Sequence, residues 1–248
     1  MKSAVVHRLL TGYSTFMEMS STSCLVCSGG LKIIIDTGSK DARSELLWRL
    51  AELGVRPEEI DIVANTHLHM DHCWNNGVFP NAELYCSESE YRMMTDIAAL
   101  MDPQQSQIED ILVSYLSQQR GSTPDTLKRK VLEFLYEDGM FEAMLRKKRV
   151  DAPAIGQAGL LAVETPGHTD GHTAFILDGA ASRTRTIFPG DAILDESHFR
   201  RRKQILFTRN GRQYENSKLK METFDGMFYP GHGHEFVVID ERRRQIKF

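Results

Sequence analysis

A chain of 248 residues with 41% hydrophobic and 26% charged residues can bury a core of ordinary size, as one large domain or two small ones. Its formal net charge of −4 excludes a global pull toward nucleic acid or an anionic membrane, so any such attraction needs a local patch. The apolar stretch framed by Lys2 and His7-Arg8 is too short for a signal-peptide core, and no apolar run approaches the ~20 residues that span a bilayer; a cytoplasmic protein is expected.

Ser23–Ser28 and Leu31–Asp36 are strand-like apolar runs joined by Gly29-Gly30, a hairpin signal. Cys24 and Cys27 form a C-x-x-C within the first run. The chain has four cysteines, these two with Cys73 and Cys86, and no second pair follows. They therefore read as small buried hydrophobes rather than a redox pair or half of a zinc site. Asp36-Thr37-Gly38 ends the second run with turn residues. Asp41–Leu53 sets Leu46, Leu47, Leu50 and Leu53 on one helical face, with Gly54 just beyond the helix. Pro57 and the acids after it start a short turn. Ile60–Asn65 is the next strand, delivering Thr66 and His67 at its C-terminal end, and Glu83–Cys86 is another.

From about Ser87 to Val150 the pattern changes to spacings of three and four: Ile108, Ile111, Leu112, Tyr115 and Leu116, then Leu127, Val131, Leu132, Leu135 and Tyr136. Ser122-Thr123-Pro124 reads as a helix start. A helical insertion over about residues 87–150 is expected, either covering an exposed face, forming a lid, or joining two copies in a homodimer. Strands resume at Leu160–Thr165, Thr173–Asp178, Thr186–Phe188, Met227–Tyr229 and Phe236–Ile239, with a helix near Tyr214–Thr223. This order suggests a layered α/β sandwich.

His67-Leu68-His69-Met70-Asp71-His72 packs four metal-binding side chains into six residues. Imidazole nitrogen and carboxylate oxygen suit zinc and its neighbours. In an extended segment residues 67, 69 and 71 share a side, so two histidines can grip one ion while Asp71 and His72, past a turn, face another. Three further clusters each follow a strand-like run and open on Pro-Gly: Pro166-Gly167-His168-Thr169-Asp170-Gly171-His172, Pro189-Gly190-Asp191, and Pro230-Gly231-His232-Gly233-His234. Loops leaving strand ends on one edge can converge, and glycine permits close backbone approach there.

In these four motifs, their order and their spacing, the chain resembles the hydrolytic branch of the metallo-β-lactamase superfamily, over nearly its whole length. The resemblance implies a single domain, residues 1–248, with the four-layer αββα sandwich and the helical insertion. It also implies two divalent ions, expected to be zinc, with manganese or iron accommodated by the same groups. His67, His69 and His168 would hold the first; Asp71, His72 and His232 the second; Asp191 would bridge them. Asp71 is the expected catalytic group, orienting the nucleophilic water or shuttling its proton. His172 is expected to support the site, and His232 is favoured over His234 by the Pro-Gly-His order. His7 and His198 fall outside any motif and read as ordinary surface or core histidines.

The implied activity is hydrolysis of a carboxylic ester, thioester or lactone by a small-molecule hydrolase. Phosphodiester cleavage is the second reading, favoured by Arg200, Arg201, Arg202, Lys203, Arg209, Arg212, Lys218 and Lys220, which with Arg242–Arg244 could meet an anionic substrate or nucleic acid. The same motifs are also compatible with a one-iron persulfide dioxygenase and with a non-catalytic metal-stabilised binding module. Antibiotic hydrolysis is disfavoured, because β-lactamases generally lack the Asp191 bridge; the diiron flavoprotein branch carries Glu in place of His69. No membrane partner is expected. Tyr13, Phe16 and Met17 lie in an N-terminal loop that could reach substrate or pack in the core.

Overall fold

A computed structural model describes residues 4–15, 18–100, 140–178, 185–201 and 208–239. The first sheet runs in the order β1–β4–β5–β6–β7, with β1 Val5–Leu10, β4 Ser23–Ser28, β5 Leu31–Ile35, β6 Ile62–Ala64 and β7 Glu83–Tyr85. The second runs β12–β11–β10–β9–β8, with β8 Leu160–Glu164, β9 Thr173–Leu177, β10 Arg185–Gly190, β11 Gly226–Pro230 and β12 Phe236–Val238. A small hairpin, β2 Tyr13–Ser14 with β3 Met19–Ser20, stands apart. The described helices are α1 Arg43–Glu52, α2 Met70–Cys73, α3 Glu88–Leu100, α4 Met140–Leu145, α5 Ala152–Gly156, α6 Glu196–Arg201 and α7 Gly211–Glu222.

Alternation of side chains along each strand builds the layers. Leu25, Ile34, Val63 and Leu84 face outward onto Leu46 and Leu50 of α1, Met94 of α3 and Met144 of α4. Their neighbours Cys24, Val26, Ile33, Ile35, Ile62, Ala64 and Tyr85 face inward onto Phe175, Leu177 and Phe188 of the second sheet. Ala174, Ile176, Ile187 and Phe228 point out of that sheet toward Phe199 of α6 and Met221 of α7. Three apolar seams between four layers make the αββα sandwich that the sequence implied.

The Gly29-Gly30 hairpin forms as expected: both residues have positive φ, 60° and 85°, and β4 pairs with β5 in register Ser28 to Leu31. Cys24 and Cys27 sit an odd number of positions apart and so pack in different seams; all four cysteines are free. Helix α1 stops just short of the last leucine in its pattern. Leu53 is its C-cap and 39% exposed, while Gly54 takes φ 68° and the amide of Val55 returns to the Leu50 carbonyl. Strand β1 and helix α6 were not anticipated. Of the insertion, α3 and α4 mark the two ends; the apolar pattern from Ile108 to Tyr136 and the helix start at Ser122–Pro124 lie outside the described residues, as do Phe16, Met17, Arg202, Lys203 and Arg242–Arg244. No described helix is long and apolar enough to cross a membrane.

Strands β5, β6 and β7 run parallel to one another, as do β10 and β11. Their C-terminal ends therefore release Asp36, His67, Asp191 and His232 along one edge of the sandwich. Backbone bonds lock that edge: Thr173 N–H to the Thr66 carbonyl at 2.8 Å, Gly231 N–H to Gly190 at 3.1 Å, and Thr22 N–H to Gly231 at 2.8 Å.

Candidate metal centre

His67 and His69 leave β6 in extended backbone, and the chain then turns at once into α2, for which His69 is the N-cap. That helical turn carries Asp71 and His72. His67 Nε2 lies 3.0 Å from His69 Nδ1, and His168 Nε2 is 3.0 Å from the same His69 nitrogen. On the other side His72 Nε2 and His232 Nε2 are each 3.6 Å from Asp71 Oδ2. Asp191 joins the halves: its Oδ2 is 3.3 Å from His168 Nε2, and its Oδ1 is 3.2 Å from His72 Nε2 and 3.3 Å from His232 Nε2. All seven residues singled out in the sequence thus meet in one place, in overlapping groups whose donor atoms could hold a metal ion.

The donor chemistry fits divalent cations. Three imidazole nitrogens crowd together at the first group, where a proton on His69 could satisfy only one neighbour and a cation could satisfy all three. His72 Nε2 and Asp191 Oδ1 are buried and make no well-aligned hydrogen bond although 3.2 Å apart. The far nitrogens of His72, His67 and His232 are meanwhile tied off, whereas His168 Nδ1 is buried without a hydrogen-bond partner. His72 Nδ1 donates to Asp36 Oδ2 at 2.8 Å. His67 Nδ1 donates to Thr66 Oγ1 at 3.1 Å, and that hydroxyl donates onward to Asp36 Oδ2 at 2.8 Å. His232 Nδ1 lies 3.0 Å from the carbonyls of both Tyr13 and Ser20. Each arrangement aims Nε2 at the centre, where an arriving cation would take the place of any proton on it.

The electrostatics divide the site. Burial, and then the imidazoles of His72, His69 and His168, hold His67 well below the ordinary histidine range. Burial likewise takes His168 down to about 4 and lowers His69. For His72 and His232 burial acts the same way but is outweighed by Asp191 with Asp36 and Asp71, or Asp191 with Asp71, so both are raised. Burial would raise Asp191, yet His232, His72 and His168 keep it well below the usual carboxylate range.

His172 supports rather than joins the cluster. Its Nε2 accepts the Asp191 amide at 3.0 Å, and its Nδ1 therefore donates to Thr165 Oγ1 at 2.8 Å. His234 is exposed. Asp36, which sequence reasoning took only as a turn residue, holds φ 51° while its carboxylate collects His72 and Thr66. An Asp at the end of a buried strand, where the backbone turns left-handed, was the available signal. His198 is 3% exposed, not a surface residue. Its Nδ1 accepts the Leu194 amide at 3.2 Å and its Nε2 donates to Tyr214 Oη at 3.1 Å, which in turn donates to the Asp191 carbonyl at 3.1 Å. No sequence pattern marks that relay.

The sequence profile of the metallo-beta-lactamase superfamily matches residues 17–234. The chain is 26% identical over 238 residues to metallo-beta-lactamase domain-containing protein 1 of Xenopus laevis, covering 94% of this chain and 82% of that protein. It is 48% identical over 59 residues to "Probable metallo-hydrolase MJ0296" of Methanocaldococcus jannaschii, covering 24% of this chain and only 29% of that relative's length. Among solved structures, AidC, a dizinc quorum-quenching lactonase, superposes with a TM-score of 0.61 at 20% identity, over 86% of this chain and 72% of that one. With the profile spanning all four motifs and the sandwich carrying them to one edge, the chain belongs to the metallo-β-lactamase superfamily.

Proposed function

We propose that this protein is a metal-dependent hydrolase of carboxylic esters, thioesters or lactones. The observation that carries this is the convergence of five imidazoles and two carboxylates into two adjoining donor groups, with Asp191 reaching into both. His67, His69 and His168 would hold one ion, Asp71, His72 and His232 the other, and Asp191 would lie between. When bound, two divalent cations supply Lewis-acid polarisation of the scissile carbonyl and a water acidic enough to act as nucleophile near neutral pH.

The chain's own residues do the rest. Asp36 and Thr66 fix the rotation of His72 and His67, so their donor atoms are aimed before any ion arrives. His172 pins the Asp191 backbone. Asp71, 8% exposed, is more open to solvent than Asp191 at 4%. In this reading Asp71 would orient the attacking water and take its proton. His69 is the other partly accessible member of the cluster, so substrate approaches from the side of His69 and Asp71.

Four described members of the basic segment support carboxyl chemistry over phosphodiester cleavage. Arg200 pairs with Glu196 and Arg209 with Asp170, Lys220 donates to the Glu164 carbonyl, and Lys218 is buried. Those four cations are thus paired or buried, while Arg212 is exposed. The fold likeness to AidC, a dizinc lactonase, points the same way. Four free cysteines suit a reducing cytoplasm. The test is metal analysis of the purified chain followed by a screen of lactones, thioesters and bis(p-nitrophenyl) phosphate. Two divalent ions per chain with turnover of a carboxyl substrate is the expected result. One iron, or dominant phosphodiester turnover, would overturn the proposal.

A further inference from the structure

Ser87-Glu88-Ser89-Glu90 has the form S-x-x-E, and in that form the glutamate ordinarily turns back to the amide of the capping serine. Half of the motif is present: Ser87 Oγ accepts the Glu90 amide at 3.3 Å at the start of α3. The Glu90 carboxylate is committed elsewhere. Its Oε2 accepts the amide of Leu68 at 2.9 Å, and its Oε1 accepts the amide of Gly171 at 3.1 Å. Glu90 is 1% exposed. Leu68 stands between His67 and His69, while Gly171 belongs to the loop that carries His168 and His172. One buried carboxylate therefore clasps two donor-bearing loops that are about a hundred residues apart in sequence.

The fit around Gly171 is close. A Cβ there would lie 2.2 Å from Ser87 Oγ and 2.9 Å from both the Glu90 amide and Ser89 Cβ. The loop is thus seated directly on the first turn of α3. A burial cost for a carboxylate is accepted here because each oxygen takes a backbone N–H, and those amides would otherwise be orphaned inside the protein.

We infer that Glu90 is a positioning residue for the metal centre, setting the separation of the His67–His69 and His168 donors and tying the first turn of the helical insertion to that separation. This rests on the proposed metal-dependent function. Substitution by alanine removes both acceptors. Glu90→Gln keeps the size but presents an NH2 to one of the two amides, so one bond is lost and replaced by a donor–donor contact.

The experiment measures zinc binding by competition with a chromogenic chelator, alongside amide hydrogen exchange of Leu68 and Gly171 in the metal-free protein. E90Q is expected to weaken zinc binding by about 10-fold or more and to speed exchange at one or both amides, and Glu90→Asp to restore part of each. Glu88→Ala, altering an exposed neighbour that pairs with Arg149, is expected to change neither. If E90Q folds and binds zinc with wild-type affinity, Glu90 is only a helix-start residue and the inference fails. Should the wild-type chain itself bind no divalent ion, the proposed function fails instead. If E90A does not fold, E90Q and E90D still decide.

Discussion

Asp36→Asn isolates the contribution of a carboxylate that touches none of the proposed ions. Asparagine tolerates left-handed backbone, so the φ of 51° at this position adds little to the effect. The loss is in the donors. Asp36 receives His72 Nδ1, Thr66 N–H and Thr66 Oγ1–H, each at 2.8 Å. An amide offers one oxygen, and its NH2 must face either the Thr66 amide or His72 Nδ1–H. In the first orientation a buried backbone donor is stranded. In the second His72 changes tautomer, and the proton moves to Nε2, the atom that faces Asp191 and Asp71. Either way at least one hydrogen bond is lost and the others lose their charged acceptor at a site 3% exposed, a cost of at least about 1.5–3 kcal/mol. Metal affinity is expected to fall about 10- to 100-fold, or about 1.4–2.8 kcal/mol. Urea unfolding in excess chelator measures the first quantity, and chelator competition the second. Asp36→Ala should be worse on both counts, since alanine lacks all acceptors and resists positive φ. A D36N protein that unfolds at the wild-type midpoint and binds metal as tightly as the wild type would refute the assignment of Asp36.

Gly231→Ala should abolish tight metal binding, because its Cβ would sit 2.2 Å from Asp191 Oδ1 and 2.9 Å from the Gly190 carbonyl group. Gly30→Ala is the contrast: φ is 85° but nothing lies within 4 Å, so it should lower stability by about 1 kcal/mol and leave metal content unchanged. Tyr214→Phe removes the hydroxyl between His198 and the Asp191 carbonyl and should cost about 1–3 kcal/mol in urea unfolding; an unchanged midpoint would mean the relay contributes nothing. Burial raises the thiols of Cys24 and Cys73 and takes Cys86 up to about 12. In native protein Ellman's reagent should therefore reach half-buried Cys27 first, with the other three reacting only on unfolding.

What could be read from sequence alone divides along a physical line. The seven proposed donors were legible because only a few side chains can ligate a divalent cation, so chemistry restricts residue type at each position and the clusters stand out. The strands were legible where both sheet faces are buried, as in Ile33–Ile35 and Thr173–Leu177. Strand β1 was not, since His7 and Arg8 interrupt an edge strand that is only partly covered. The turn expected before Asp71 and His72 is the start of α2, one residue after His69, where the amides of His72 and Cys73 both return to the His69 carbonyl. The supporting atoms are hidden for a different reason. His232 is oriented by the carbonyls of Tyr13 and Ser20, and the clasp made by Glu90 ends on the amides of Leu68 and Gly171. Every residue type carries such a carbonyl, and every type but proline such an amide, so the partner's identity leaves no trace in its own letter. Only the side chain at the other end is constrained, and Glu90 and Asp36 each matched a commonplace local motif, a helix cap and a turn. A buried polar residue that fits a local motif but spends its hydrogen bonds elsewhere is therefore the feature to look for around the donor loops of such a centre.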